Sequence, residues 1–362
     1  MKLTIFNAIH KELGAKMVEF AGFEMPIQYK NGIIFEHKAV RTSVGVFDVS
    51  HMGEFEIFGP DALAFVQKVT TNDASKLFPG KVQYSAMCYH HGGIVDDLLV
   101  YRLDENKFMF VVNAANIEKD FNWCLENAKD FDVQLKNISD EINLLAVQGP
   151  NSLKTLQKLT DTDLNSMKYY TFQNGKLADV DMIISRTGYT GELGFELYFR
   201  GDFSVAKHVW DAIFEAGKEF NIEPVGLGCR DTLRLEKGYC LYGNDIDETT
   251  NPIEAGLGWI TKLEKGPFNG SEVIAKVKEE GPRRLLVGFV SDENRFIPRH
   301  NYKIYSQGKE IGYVTSGNIS PMLEKPIGMG YVQTEFSNEG TEIQIESRGK
   351  LFAAKVVKLP FV

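Results

Sequence analysis

Two hydrophobic rhythms run along the chain, and the place where one stops divides it. Up to about residue 280, apolar residues recur sometimes at every second position and sometimes at every third or fourth. The first spacing belongs to strands and the second to helices, so strands and helices interleave there. Helical spacing predicts helices over residues 33–44, 62–69, 116–128 and 204–220. In the third, Ile117, Phe121, Cys124 and Leu125 fall on one face. Asp61 stands where it would cap the second. Gly149-Pro150 opens a further helix with Leu153, Leu156 and Leu159 inside. Strands are predicted at 108–113, 142–148, 180–185 and 195–199. Residues 45–54 alternate and run on into a strand at 55–58, while 22–27 reads as a loop around Pro26.

Beyond Glu279-Glu280-Gly281-Pro282 the helical spacing is almost gone. Six short strands are predicted at 285–290, 303–306, 310–315, 327–333, 342–346 and 351–357, with hairpin tips at Gln307-Gly308 and Arg348-Gly349. That pattern makes a small β-barrel or sandwich. The fold class is α+β, with residues 1–280 as one region of two interleaved subdomains and 281–362 as a C-terminal β-barrel.

Composition narrows the function. A chain of 362 residues exceeds what one core usually supports. With 43% hydrophobic and 25% charged residues it has the balance of a water-soluble globular protein. A net charge of −9 argues against a broad nucleic-acid or anionic-membrane surface. Cys88, Cys124, Cys229 and Cys240 lack the spacing of a zinc site or a disulfide framework. Free thiols, no secretory signal and no apolar run of bilayer length make a cytoplasmic protein the expectation.

Candidate chemistry centres on Gly92-Gly93-Ile94-Val95-Asp96-Asp97-Leu98-Leu99-Val100-Tyr101. The glycines permit a sharp turn, and two carboxylates then open an apolar strand. Alternation points one of Asp96 and Asp97 inward and the other outward, without saying which. Read alone, the pair fits solvated turn residues better than an acid/base group. Glu196 sits between Phe195 and Leu197, either on a solvated strand face or at a pocket rim. At a rim it would accept paired N–H bonds from a guanidine-like edge such as a pterin's. Arg230 follows Gly226-Leu227-Gly228 at the start of a helix, where it would hold a ligand oxygen or pair with Asp231 or Glu236. Tyr84, Tyr189 and Tyr239 lie near glycines and suit an aromatic slot or plain packing. There is no P-loop, and Gly226-Leu227-Gly228 lacks the third glycine of a dinucleotide site. His90-His91 reads as a surface turn.

Taken in order, these motifs resemble the T-protein family of the glycine cleavage system, the aminomethyltransferases. The likeness runs through Glu19-Phe20-Ala21-Gly22-Phe23-Glu24-Met25-Pro26, Val46-Phe47-Asp48-Val49-Ser50-His51-Met52-Gly53-Glu54 and Gly92-Gly93-Ile94-Val95-Asp96-Asp97. It continues in Val112-Asn113-Ala114-Ala115-Asn116, Ser185-Arg186-Thr187-Gly188-Tyr189-Thr190-Gly191-Glu192, Gly226-Leu227-Gly228-Cys229-Arg230-Asp231, Asn251-Pro252 and Thr315-Ser316-Gly317-Asn318.

The resemblance implies a three-domain cloverleaf around a folate channel. It also implies transfer of an aminomethyl carbon from the lipoyl arm of the carrier H-protein to tetrahydrofolate. The products would be 5,10-methylenetetrahydrofolate, ammonia and dihydrolipoyl H-protein. Tetrahydrofolate is then a co-substrate, with no metal, no covalently bound cofactor and a monomeric enzyme. By position Asp97 becomes the essential, inward-facing aspartate and Asp96 a structural one. Glu196 becomes the pterin-gripping carboxylate and Arg230 a folate contact, while Met52, Tyr84, Asn113, Tyr189 and Tyr239 line the channel. Many members carry a ligand-contacting tail where this chain stops at Pro360-Phe361-Val362, so weaker contact with the folate's glutamate end is expected. Two relatives of the same fold fit less well. Folate domains of sarcosine and dimethylglycine oxidases accompany a flavin half. The iron–sulfur-assembly relatives carry a Lys-Gly-Cys-Tyr type motif, where this chain has Lys237-Gly238-Tyr239-Cys240.

Overall fold

The structure is a computed structural model that describes residues 1–293 and 295–362. The chain forms two compact units. The first comprises Met1–Phe65, Ser75–Gln83 and Leu98–Asp231, and the second Val66–Ala74, Tyr84–Asp97 and Thr232–Val362.

A six-stranded sheet organises the first unit, in the order Phe172–Leu177, Val180–Ser185, Gly194–Phe199, Asn143–Gln148, Gly45–Asp48, Glu223–Pro224. Its pairings are antiparallel except the last. The helix Phe203–Gly217 packs Val209, Trp210 and Ile213 into a core with Val147, Leu197 and Phe199. Asp202 caps that helix, its Oδ1 accepting from Ser204 N at 2.9 Å and Val205 N at 3.2 Å. A five-stranded sheet runs Val82–Cys88, Ile94–Asp104, Lys107–Val112, Gly53–Phe58, Gln134–Asn137. Its first two strands carry the chain into the second unit and back.

In the second unit all six strands predicted after residue 280 are present. They close as Arg284–Val290, Pro326–Gln333, Lys309–Ile319, Lys303–Ser306, Glu342–Ser347, Lys350–Val357, which decides for a barrel over a sandwich. Both predicted tips are left-handed at both residues, with φ of 51° and 78° at Gln307 and Gly308 and 52° and 73° at Arg348 and Gly349. Such turns match the natural twist of the strands they join. The fold class is therefore α+β with a C-terminal barrel.

Three readings are corrected. Residues 22–27 are not a loop, because Phe23–Gln28 is the middle strand of a small sheet with Lys2–Leu3 and Lys16–Phe20. Pro26 sits by a register shift in the pairing with Lys16–Phe20, where a missing N–H costs little. Residues 45–58 are two strands in two different sheets. Asp48 ends the first, its Oδ1 accepting from Ser50 N at 2.9 Å, and Met52 N bonds Val49 O at 3.0 Å in the turn between them. Leu125 is exposed on the helix Ile117–Asn127, whose buried residues are Asp120 and Cys124.

Candidate functional site

Each candidate residue is half-buried: Met52, Tyr84, Asp97, Asn113, Tyr189, Glu196, Arg230 and Tyr239 are neither core nor fully exposed. The fold gathers them in two groups, one in each unit.

In the second unit the two glycines before the aspartate pair do different work. Gly92 has φ +85°, a left-handed turn. Gly93 lies so close to the Glu248 carbonyl that a Cβ would stand 1.8 Å from its oxygen. Ile94 N then donates to Asp247 O at 3.1 Å and Thr250 O at 3.2 Å, which fixes where the strand Ile94–Asp104 begins. Alternation along it is as predicted, but the phase is reversed. Asp96 is the inward residue, fully buried, and Asp97 stays partly open. A fully enclosed carboxylate is out of a substrate's reach, so partial exposure suits a reacting group. Tyr84 Oη donates to Asp97 Oδ2 at 2.9 Å, and its ring packs against Trp259 with centroids 5.8 Å apart.

Tyr239 is placed through its backbone. Its N–H donates to Arg234 O at 3.0 Å, and Arg234 Nη1 returns a bond to its carbonyl at 3.2 Å. Arg234 is itself locked to Asp245 Oδ2 at 2.7 Å and Ser316 Oγ at 2.9 Å. Burial, then the charges of Asp245 and Asp97, push the Cys240 thiol up, which leaves it a poor nucleophile.

In the first unit Gln148 shapes the loop that carries Tyr189. A Cβ on Gly188 would lie 2.0 Å from Gln148 Oε1, and one on Gly194 2.3 Å from its Nε2, so the two glycines make room for this buried amide. It donates to Thr187 O at 3.2 Å and accepts from Thr190 Oγ1 at 2.9 Å. Arg41 ties the same loop down, through Glu192 at 2.9 Å and Thr190 O at 2.6 Å. The helix Leu227–Glu236 starts beside buried Glu36, which accepts from Gly226 N at 2.9 Å. Gly226 and Gly228 are there for close packing on Ile27 and Ile33.

The result is a cluster. The Arg230 guanidinium lies over the Tyr189 ring at 4.6 Å, a cation–π contact and not an ion pair with Asp231 or Glu236. Glu196 Oε2 accepts from Thr187 Oγ1 and from Tyr198 Oη at 3.4 Å. No described residue hydrogen-bonds its Oε1, and that oxygen is not sealed from solvent. Burial pushes the Glu196 carboxyl up, opposed by the Thr187 hydroxyl, the Arg230 charge and Tyr198. Met52 sits in the turn before the strand Gly53–Phe58. The Asn113 carbonyl accepts from Asn116 N at 2.9 Å.

Two neighbours of this cluster were not singled out from sequence. His51 is buried against the Phe20 and Phe23 rings. Burial and the Arg230 charge hold it down at about 4, so it is neutral at pH 7. Glu54 is buried, and burial, then the Glu196 charge, pushes its carboxyl well up. In Gly53-Glu54-Phe55-Glu56-Ile57-Phe58 the alternation reads as a solvated polar face, and only the cover over that end of the strand removes Glu54 from water. His90 and His91 form the expected exposed turn. Among the described residues no group of three or more His, Cys, Asp or Glu is arranged to hold a metal ion, and no helix is long and apolar enough to cross a membrane.

The two parts of the fold match two family descriptions: a GCVT N-terminal domain over residues 6–265 and a glycine cleavage T-protein C-terminal barrel domain over 284–362. The chain is 56% identical to an aminomethyltransferase of Bacteroides fragilis and 54% identical to one of Flavobacterium psychrophilum, covering all of this chain and 99% of each relative. Its fold matches the crystal structure of the glycine cleavage system aminomethyltransferase T from Bartonella henselae with TM-score 0.92 at 36% identity, over 100% of this chain and 98% of that one. The fold thus defines a one-carbon transferase class. Within it, the chain belongs to the glycine cleavage T-protein family of aminomethyltransferases.

Proposed function

We propose that the enzyme moves the aminomethyl carbon of a lipoylated H-protein onto tetrahydrofolate, releasing ammonia and leaving 5,10-methylenetetrahydrofolate and dihydrolipoyl carrier. Two bonds to the transferred carbon break, one to sulfur and one to the amine nitrogen. Two form, to N5 and N10 of the folate. The two protons lost by those nitrogens balance the one gained by sulfur and the one gained by ammonia, with no change of oxidation state. We take the enzyme to work as a cytoplasmic monomer, with no metal and no covalently bound cofactor. Residues 1–280 form the folate-binding region of this reading and 281–362 the barrel domain.

The open Oε1 of Glu196 is the observation that carries the reading. Both of the bonds made to that carboxylate fall on Oε2, so Oε1 remains for a ligand N–H. The 2-amino group and N3–H of a pterin present two adjacent donors to such an acceptor. Tyr189 and Arg230 supply a flat, cationic wall beside it. By the family resemblance we assign Met52 and Asn113 of the first unit, and separately Tyr239 of the second, to folate contact. Asp97 takes the chemical role: a carboxylate oriented by Tyr84 is suited to engage the folate nitrogens and to stabilise positive charge developing on the transferred carbon.

A single-turnover assay tests this, with aminomethyl-loaded H-protein and tetrahydrofolate, following methylenetetrahydrofolate and ammonia. Asp97→Asn is expected to abolish most turnover while folate still binds. Folate binding without turnover by the unmutated enzyme would instead favour a folate-binding, non-enzymatic relative.

A further inference from the structure

Behind Glu196 the first unit encloses four hydroxyl groups. Those of Tyr101, Ser185, Thr187 and Tyr198 all belong to buried residues. Ser185 pairs with Glu196 across antiparallel strands, and Tyr198 follows Glu196 by two residues, so the three side chains share one face of the six-stranded sheet. Tyr101 comes from the five-stranded sheet, on the strand Ile94–Asp104. Buried as they are, the four hydroxyls must find their partners close by.

Their bonds form one connected set. Tyr101 Oη lies 3.0 Å from Ser185 Oγ, 3.0 Å from Tyr198 Oη and 3.4 Å from Thr187 Oγ1. Thr187 Oγ1 faces both Glu196 Oε2 and Ser185 Oγ, the latter at 3.0 Å, and Tyr198 donates to Glu196 Oε2 at 3.4 Å. Each hydroxyl has a single proton to give. With Glu196 ionised, the Thr187 proton goes to the carboxylate, the stronger of its two acceptors. Once Tyr198 has also given its proton to Glu196, it can only accept from Tyr101. Tyr101 in turn can only accept, and Ser185 holds the one proton left. The chain therefore runs one way, from Ser185 through Tyr101 and Tyr198 to the carboxylate, and each link polarises the next. A proton on Oε2 would turn one of these bonds round. The Tyr198 bond is the long one, and a phenol proton rotates until a donor on its other side fixes it, so its direction depends on Tyr101.

We propose that Tyr101 is a positioning residue for Glu196: by donating to Tyr198 it turns the Tyr198 proton onto Oε2, which favours the ionised carboxylate and leaves Oε1 to the ligand's N–H edge. This inference rests on the assignment of Glu196 to the pterin.

The test is calorimetric binding of tetrahydrofolate under anaerobic conditions, titrated across pH, to Tyr101→Phe, Tyr198→Phe, the double variant and Glu196→Gln. Tyr101→Phe loses one hydroxyl and keeps the ring that packs on Phe172 with centroids 5.3 Å apart. Its acid limb of binding is expected to move up by about half to one pH unit, so that affinity on the limb falls about three- to tenfold. Affinity well above the limb should be unchanged, which a merely structural loss would not give. Tyr198→Phe should move the limb at least as far, and the double variant no further than Tyr198→Phe, because the Tyr101 hydroxyl acts only through Tyr198. An unmoved limb in a folded Tyr101→Phe overturns the proposal, as does a further shift in the double variant. So does an unmoved limb in Tyr198→Phe, a result that stands even if Tyr101→Phe does not fold. Binding by Glu196→Gln as tight and as pH-dependent as that of the unmutated enzyme would instead overturn the assignment of Glu196, a separate failure.

Discussion

Two arginines four residues apart in the helix Leu227–Glu236 illustrate two uses of a buried charge. Arg234 belongs to the second unit and is saturated. Its side chain is 2% exposed, and it bonds Asp245, Ser316 and the Tyr239 carbonyl. Asp245 in turn accepts from Thr315 and Ser316 and from Leu241 N at 2.9 Å. Arg230 belongs to the first unit and is half-open, lying on the face of Tyr189 and acting on Glu196 only through its field. A saturated network fixes one structure, since removing any member strands another charge. An unsaturated one keeps hydrogen-bonding capacity for a ligand. On the proposed function, stability and recognition are separated along one helix.

Substitutions at the two sites should fail differently. The largest effect is expected from Asp245→Ala, which leaves Arg234 buried and uncompensated at a cost of about 3–5 kcal/mol. Denaturant unfolding checks this, and a loss below about 1 kcal/mol would mean that the network does not govern stability. Next, Glu196→Gln should weaken tetrahydrofolate binding about 10–100-fold, the range for a charge-assisted bond of about 1.5–3 kcal/mol. The melting temperature should hold or rise.

The pH response sharpens the contrast. The folded value of Glu196 is raised, so its neutral form favours the fold. That stability is present below the ordinary carboxylate range and is lost as pH rises through the raised value. The proposed pterin contact needs the ionised form, so affinity should fall as pH drops through the same value. In Glu196→Gln this acid limb should disappear from a binding titration.

The glycines allow a finer comparison. An alanine Cβ at 93 meets a backbone oxygen, whereas at 188 it meets the end of the Gln148 side chain. Gly93→Ala should therefore cost more than Gly188→Ala, which falls in the range of about 1–3 kcal/mol for overpacking. Thermal melts of the two variants decide the order. Smallest is Tyr84→Phe, which removes the hydroxyl from Asp97. Turnover should drop about three- to tenfold, the value of one hydrogen bond of about 0.5–1.5 kcal/mol, with the folate Kd unmoved. A drop as deep as that of Asp97→Asn would give the phenol a larger part than orientation.

Legibility was uneven, for physical reasons. The barrel strands emerged within a few residues because alternation and left-handed tips at Gln307-Gly308 and Arg348-Gly349 are local signals. Pro26 misled because proline usually breaks pairing, and only the register shift with a neighbouring strand accommodates it. The candidate site residues were assigned by motif, and the burial of Asp96 and Asp97 was opposite to expectation, since alternation carries no origin. Glu54 went unread because a glutamate flanked by apolar residues looks the same whether water or protein covers it.

The order of residues alone determined the alternation of strands and helices up to about residue 280, the six short strands after it and the family, because periodicity, turn chemistry and motifs are all local in the chain. Tertiary structure decided which charges are satisfied and which are left open. Thr187 and Tyr198 reach Glu196, and Ser316 reaches Arg234, only through folding. Desolvation and hydrogen-bond completion depend on neighbours distant in sequence, and no spacing rule encodes them.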